Sequence, residues 1–276
     1  MSRYICVDIG GTSIKHGVLD ENAIIEESNQ TKTEAWLGGA EVLDKVKAIG
    51  KQYMEQYENI EGICISTAGM VDPEEGKIVF AGELMPDYTG TCIKKELEKT
   101  LGIPCEVEND VNCAGLAEYI SGAAKESHIM FCATVGTGIG GCAIVDGSVF
   151  HGASNSACEI GYIPMEDSDF QTLGASSILI KKVAGKKREP LDMWDGKKIF
   201  ELAEKGDEVC ISAIKEMCDV LGKGLATICY VLNPDTIVLG GGVMAQKKIL
   251  ENRFIEAVFK TDSGRTFTSM LCRIWK

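Results

Sequence analysis

The 276 residues are 45% apolar and 25% charged, with a formal net charge of -13. That length holds one large or two ordinary α/β domains. The acidic balance disfavours a nucleic-acid partner, whose affinity rests on Lys and Arg neutralising phosphates. It still admits a nucleotide held by backbone N–H groups and a metal.

Met1-Ser2-Arg3 runs straight into strand-like Tyr4-Ile5-Cys6-Val7, which is not the pattern of an export signal. No apolar run reaches membrane-spanning length. A cytoplasmic protein with no membrane partner is expected.

The first strand, Ile5 to Ile9, meets the turn Gly10-Gly11-Thr12, and Ser13 to Leu19 returns as a second strand. Two glycines at such a turn let backbone N–H groups approach a ligand. Asp8 then projects where Mg²⁺ or its water shell could sit, Thr12 adds a hydroxyl, and Lys15 a positive charge. An ordinary glycine hairpin is the competing reading. Ala40 to Tyr57 has helical spacing (Val42, Leu43, Val46, Ile49, Tyr53). Gly62 to Ser66 reads as a buried strand ending in the Thr67-Ala68-Gly69 loop, Ile78 to Phe80 as a short strand, and Cys92 to Leu101 as an amphipathic helix.

Next comes Val107-Glu108-Asn109-Asp110-Val111-Asn112, an apolar run that gives way to small-residue helical spacing. Asp110 therefore falls where a strand ends and a helix begins, the position at which open α/β sheets bind ligands. A carboxylate there can take a proton from a substrate hydroxyl, and Asn109 beside it offers a donor and an acceptor. Asp110 as a mere helix N-cap is the plainer reading.

The first pattern then recurs. Phe131 to Val135 meets Gly136-Thr137-Gly138, and Ile139 to Val145 returns to an Asp146-Gly147 turn. Two such units suggest a duplicated fold, with two glycine turns as a clamp for a polyphosphate. The polar loop after Val149 carries Glu159, which can accept two hydroxyls, and Tyr162, which can donate or stack. A helix-start Glu and a core Tyr are the alternative. Lys181 to Pro190 reads as an exposed turn or helix end, Leu191 to Gly206 as charged helix, and Val209 to Leu232 as a long buried helix ended by Asn233-Pro234-Asp235. Thr236 to Leu239 then runs into Gly240-Gly241-Gly242, a bare-backbone wall for adenine or ribose, or a packing loop. The 12 cysteines show no C-x-x-C spacing and read as small buried hydrophobes. His16, His128 and His151 do not cluster and are taken as structural or solvent-facing, with none assigned to catalysis or a metal.

Taken together, Asp8 to Thr12, Glu108 to Asn112, Val135 to Gly141, Ala157-Cys158-Glu159-Ile160-Gly161 and Leu232 to Gly242 resemble the ROK sugar kinases of the actin/hexokinase-like superfamily. The stretches span most of the chain in the family's order. The resemblance implies an α/β fold of two ribonuclease-H-like (actin/hexokinase-type) domains, here 1–112 and 113–276, with a cleft between them. It implies an ATP- and Mg²⁺-dependent transfer of the γ-phosphate to a sugar 6-hydroxyl. Asp110 is then the base and Asn109, Glu159, Tyr162 and Gly69 the sugar site. Asp8, Gly10, Gly11, Thr12, Lys15, Gly136, Thr137, Gly138, Gly240, Gly241 and Gly242 form the Mg-ATP site.

Many family members carry Glu-x-Gly-His and a Cys-rich zinc loop. Tyr162 stands at that His and 164–177 has no cysteine, so no zinc is expected. After Phe259 the family's Ala- and Gly-rich closing helix is not evident, and its loss or replacement is expected. Ala157 to Tyr162 and Pro86-Asp87-Tyr88-Thr89-Gly90 look most like the β-glucoside kinase and glucokinase branch, with N-acetylmannosamine kinases as the near alternative. A sugar-sensing regulator of the family would carry an N-terminal helix-turn-helix, which a first strand at Tyr4 does not lead us to expect. An ATPase module without a sugar site is the third alternative. Homodimers are common in the family, so a dimer is expected here by resemblance only.

Overall fold

The computed structural model describes residues 1–246 and 271–274. The chain divides into two compact units, Met1–Cys113 with Ala153–Ser156, and Ala114–Gly152 with the chain from Ala157 onward.

In the first unit, β1 (Arg3–Ile9) and β2 (Ser13–Asp20) form a hairpin, and β3 (Ile25–Lys32) pairs antiparallel with β2. Helix α1 (Gly39–Gln56) leads to β4 (Ile60–Thr67), which lies parallel to β1. A small ribbon of β5 (Met70–Asp72) and β6 (Lys77–Phe80) follows. Helix α2 (Ile93–Leu101) then precedes β7 (Cys105–Asn109), parallel to β4. The sheet order is β3-β2-β1-β4-β7. Strand alternation sends Ile5, Val7, Ile9, Ile63, Ile65 and Val107 into a core with Val42, Val46, Ile49 and Tyr53 of α1 and Leu97 of α2. The other face carries Cys6, Asp8, Cys64, Ser66 and Glu108.

Helix α3 (Asp110–Ile120) starts directly on β7, and only its first turn belongs to this unit. The second unit repeats the plan. β8 (Ile129–Val135) and β9 (Ile139–Val145) form the hairpin, and β10 (Ser148–Val149) extends it. A two-residue ribbon of β11 (Pro164–Met165) and β12 (Ser168–Asp169) leads to α4 (Phe170–Gly174), α5 (Ser176–Lys187), α6 (Gly196–Glu204) and α7 (Glu208–Leu232). β13 (Thr236–Gly240) and β14 (Leu271–Ile274) complete a sheet of order β10-β9-β8-β13-β14. Both sheets thus run antiparallel, antiparallel, parallel, parallel in the same sequence order. This is the duplication expected from the two glycine hairpins.

Helix α7 buries Ile214, Met217, Leu221, Leu225 and Ile228 in a core with Phe131, Phe170, Leu179, Phe200, Ile237 and Leu239. The Asp207 side chain accepts from Cys210 N at 3.0 Å to start it. Asn233, at φ 49°, ends it in the left-handed conformation before Pro234.

Three expectations need correction. Residues 181–187 form the last part of helix α5, which ends at Lys187, so of the two readings the helix end holds and the exposed turn does not; Leu179, Val183 and Ala184 bury its apolar side. Gly62 to Ser66 is buried on one face only. Cys64 is exposed, and Cys6, Cys92, Cys113 and Cys158 are only half-buried, because Cys6 and Cys64 project from the sheet face opposite the α1–α2 core. The segment after Phe259 lies outside the described residues, apart from β14. Among the described residues no helix is long and apolar enough to cross a membrane.

Candidate active site

The site in the first unit begins at the junction of β7 and α3. The Asn109 Oδ1 accepts from Val111 N at 2.9 Å and Asn112 N at 3.1 Å. Asn109 is therefore the N-cap of α3, and Asp110 is its first helical residue. This answers the plainer reading of Asp110, because its neighbour does the capping. The Asn109 amide donates to the Gly69 carbonyl at 2.9 Å and to Asp110 Oδ1 at 3.1 Å. Asp110 Oδ1 also accepts from Val111 N at 3.0 Å.

Asp110 keeps an exposed surface while protein crowds around it. That burial raises its pKa above the ordinary carboxylate value. The charge of Asp8 adds to the rise, against the Val111 N–H. A carboxylate that is solvent-accessible and held less acidic than usual is suited to accept a proton.

Asp8 projects one position before the end of β1. In register it faces Ser66 on one side and Lys15 on the other. Ser66 Oγ donates to Asp8 Oδ1 at 2.9 Å. Lys15 Nζ stands 3.8 Å from Asp8 Oδ2, and both side chains are exposed, a pairing that holds neither firmly. Asp8 Oδ2 is thus a hard oxygen facing solvent beside a second carboxylate, which fits a hydrated Mg²⁺.

The adjoining turn is tied by Gly10 N to Ser13 O at 3.1 Å and by Thr33, whose N–H bonds Thr12 O and whose hydroxyl bonds Gly10 O at 2.6 Å. Gly11 has no neighbour within 4 Å of the place a β-carbon would occupy. Neither glycine of this turn is in the left-handed region; Gly11 leaves room beside the main chain, whereas a β-carbon at Gly10 would lie 3.1 Å from Ser13 O. Gly69 is different. It has φ +100°, and a β-carbon there would lie 2.7 Å from the Phe80 carbonyl oxygen. Beneath it Thr67 Oγ1 and the buried Tyr88 hydroxyl meet at 2.7 Å.

The second unit gathers its own glycines. Gly136 N donates to Gly138 O at 2.9 Å, Ser176 N to Gly136 O at 3.0 Å, and Ser177 Oγ to Thr137 O at 2.7 Å. Gly240 pairs in register with Thr134. Gly241, at φ +95°, leaves no space for a β-carbon, which would lie 2.4 Å from Val135 O. Gly136 and Gly242 are open on their β-carbon sides. The Gly136–Gly138 turn and the triple glycine therefore lie side by side.

Glu159, half-buried, precedes a single turn of 3-10 helix (Ile160–Tyr162) whose Ile160 is packed in the core. Tyr162 is 59% exposed, which corrects the core-Tyr alternative. Ile160 takes the interior position and turns Tyr162 outward.

Sequence reading did not single out Ser66, Thr33, Ser176 or Ser177. Each is a lone hydroxyl whose partner lies far along the chain, so only the fold exposes its role. Ser66 alone had a local signal, as the last outward-facing residue of β4.

The family model described as "ROK family" matches residues 4–274, and the chain belongs to that family. An uncharacterized protein of Clostridium perfringens (strain 13 / Type A) is 46% identical over 249 residues, covering 90% of this chain and 84% of the relative. The beta-glucoside kinase of Klebsiella pneumoniae is 31% identical over 257 residues, covering 90% and 84%. A ROK family glucokinase from Streptomyces griseus, solved in complex with glucose and AMPPNP, superposes with a TM-score of 0.83 at 25% identity over 99% of this chain and 94% of its own. The duplicated α/β fold with two mixed sheets is the fold of that structure.

Proposed function

We propose that this chain is a sugar kinase of the glucokinase or β-glucoside kinase type, transferring the γ-phosphate of ATP to the 6-hydroxyl of a hexose or a β-glucoside. The observation that carries the reading is the division of work at 109–110. Asn109 caps α3, and Asp110 is left with a solvent-reachable carboxylate of raised pKa at a strand end. The kinase names of the relatives agree with it.

In this reading Asp110 accepts the proton of the sugar 6-hydroxyl and aligns that oxygen. Phosphoryl transfer asks the protein mainly for positioning and charge neutralisation. Asn109 turns the amide N–H that now meets Asp110 toward a sugar hydroxyl and keeps its bond to the Gly69 carbonyl. Glu159 accepts sugar hydroxyls, and Tyr162 flanks them. Backbone amides of Gly11 and Thr12, and of Thr137 and Gly138, bind phosphate oxygens, while Gly10 and Gly136, whose N–H groups close the turns, shape the two cradles and Lys15 adds charge. Gly240, Gly241 and Gly242 line the nucleoside. Asp8, steadied by Ser66, would hold Mg²⁺, directly or through water, and the ion would supply neutralisation of phosphate charge.

The test is a coupled ADP-release assay over glucose, cellobiose, gentiobiose, N-acetylmannosamine, N-acetylglucosamine, mannose and fructose. Glucose or a β-glucoside is expected to give the highest kcat/KM. Asp110→Asn is expected to lower kcat on the best sugar by on the order of 10²-fold or more. Near-normal turnover by a folded variant would remove Asp110 from the chemistry. Glu159→Gln is expected to act mainly by raising the sugar KM.

A further inference from the structure

The rung of the first sheet before Asp8 and Ser66 carries two thiols. In the parallel β1–β4 register Cys6 stands beside Cys64, as Asp8 stands beside Ser66 two residues later. Gly17 flanks Cys6 on β2, and Glu106, ion-paired to Lys94 at 3.1 Å, flanks Cys64 on β7. Cys64 is exposed and Cys6 half-buried. Register partners in neighbouring strands lie about 4.8 Å apart, within the ~4.4–6.8 Å between α-carbons that a disulfide spans.

The two thiols are not equivalent. The hydrogen bond from Cys6 lowers the Cys64 thiol to about 7, and Cys64 is also the more exposed of the two. Cys113 and Cys105, two other thiols of the first unit, are each pushed up to about 12 by burial. The exposed member of the pair is therefore the nucleophile, since the thiolate is the reactive form. Its half-buried neighbour across the β1–β4 register is the thiol in place to resolve it.

We propose that Cys6 and Cys64 are an oxidation site at which a hydroperoxide converts two adjacent thiols to an intrachain disulfide. The Cys64 thiolate attacks the O–O bond of hydrogen peroxide. An S–O bond forms, hydroxide leaves and takes a proton from solvent, and Cys64 becomes a sulfenic acid. The Cys6 sulfur then attacks that sulfur. The S–S bond forms, the S–O bond breaks, and hydroxide departs with the Cys6 proton as water. Two thiols lose two electrons, and the peroxide is reduced to two waters. The bridge ties β1 to β4 one rung before the Asp8–Ser66 hydrogen bond. The site does not depend on the kinase reading.

The test uses the full chain, fully reduced and then treated with hydrogen peroxide at pH 7. Peptide mapping is expected to find the Cys6 and Cys64 peptides joined, the join reversed by dithiothreitol, with two free thiols lost. Cys6→Ser is expected to stop at a sulfenic acid on Cys64 that dimedone traps. On the untreated wild-type chain, which needs no variant to fold, iodoacetamide is expected to label Cys64 at least about tenfold faster than Cys105 or Cys113. Labelling of Cys64 no faster than these, or peroxide products that lack a Cys6–Cys64 join, would overturn the assignment.

Discussion

Asp110 sits where burial first, and the Asp8 charge after it, favour its protonated form. Its folded pKa therefore lies above the value of about 3.9 for an unfolded Asp. The sign follows: the folded state binds this proton more tightly, so ionisation at neutral pH works against folding. Asp110→Asn is expected to melt at a higher temperature than wild type at pH 7, with the gain shrinking toward pH 4, as differential scanning calorimetry would read. The acid limb of wild-type kcat/KM is expected above the ordinary carboxylate range. Gly69 is the second sensitive residue. Gly69→Ala would force a side chain into a left-handed conformation against the Phe80 carbonyl, with an expected cost of about 1–3 kcal/mol in urea unfolding. The conformation of Gly69 was not legible in the sequence, whereas Asp110 was, because a strand pattern and a helix pattern meet at it.

Among the elements, those with an apolar period were legible. Helix α1 and helix α7 follow their spacing to within one or two residues. Strand β3 was not, since IEESNQTK shows one half-buried residue and otherwise faces solvent; an edge strand held by backbone pairing leaves no hydrophobic signature. Of helix α5 only the end was legible, because Lys181, Lys182, Lys186 and Lys187 hide its buried Val183 and Ala184.

The start of α7 yields a pH prediction. Lys187 Nζ lies 2.6 Å from Asp207 Oδ2, and that contact, with the Cys210 N–H, lowers the Asp207 pKa to about 2. Its stabilisation is present above the unfolded value of about 3.9 and is lost as pH falls through about 2. Asp207→Ala is expected to cost about 1–2 kcal/mol at pH 7, with the difference from wild type narrowing by pH 3 in urea melts.

At the scale of the whole molecule, each unit has its own sheet and its own apolar core. Ile65→Ala in the first and Leu225→Ala in the second are each expected to cost about 2–5 kcal/mol. Peptide-resolved hydrogen exchange is expected to place most of the lost protection within the unit that was changed. The duplication was legible from two glycine hairpins, and the hydroxyls that pin them were not.

Exchanging the letters at 109 and 110 would give an isomeric protein of unchanged mass and charge. Its helix would still begin with a competent acceptor, since Asp caps as well as Asn. A carboxylate would now confront the Gly69 carbonyl, where an amide donates at 2.9 Å across 40 residues of chain. The order of two neighbouring letters therefore anchors a distant loop as well as placing an acid, and the isomer would lose its loop anchor together with the carboxylate proposed as base.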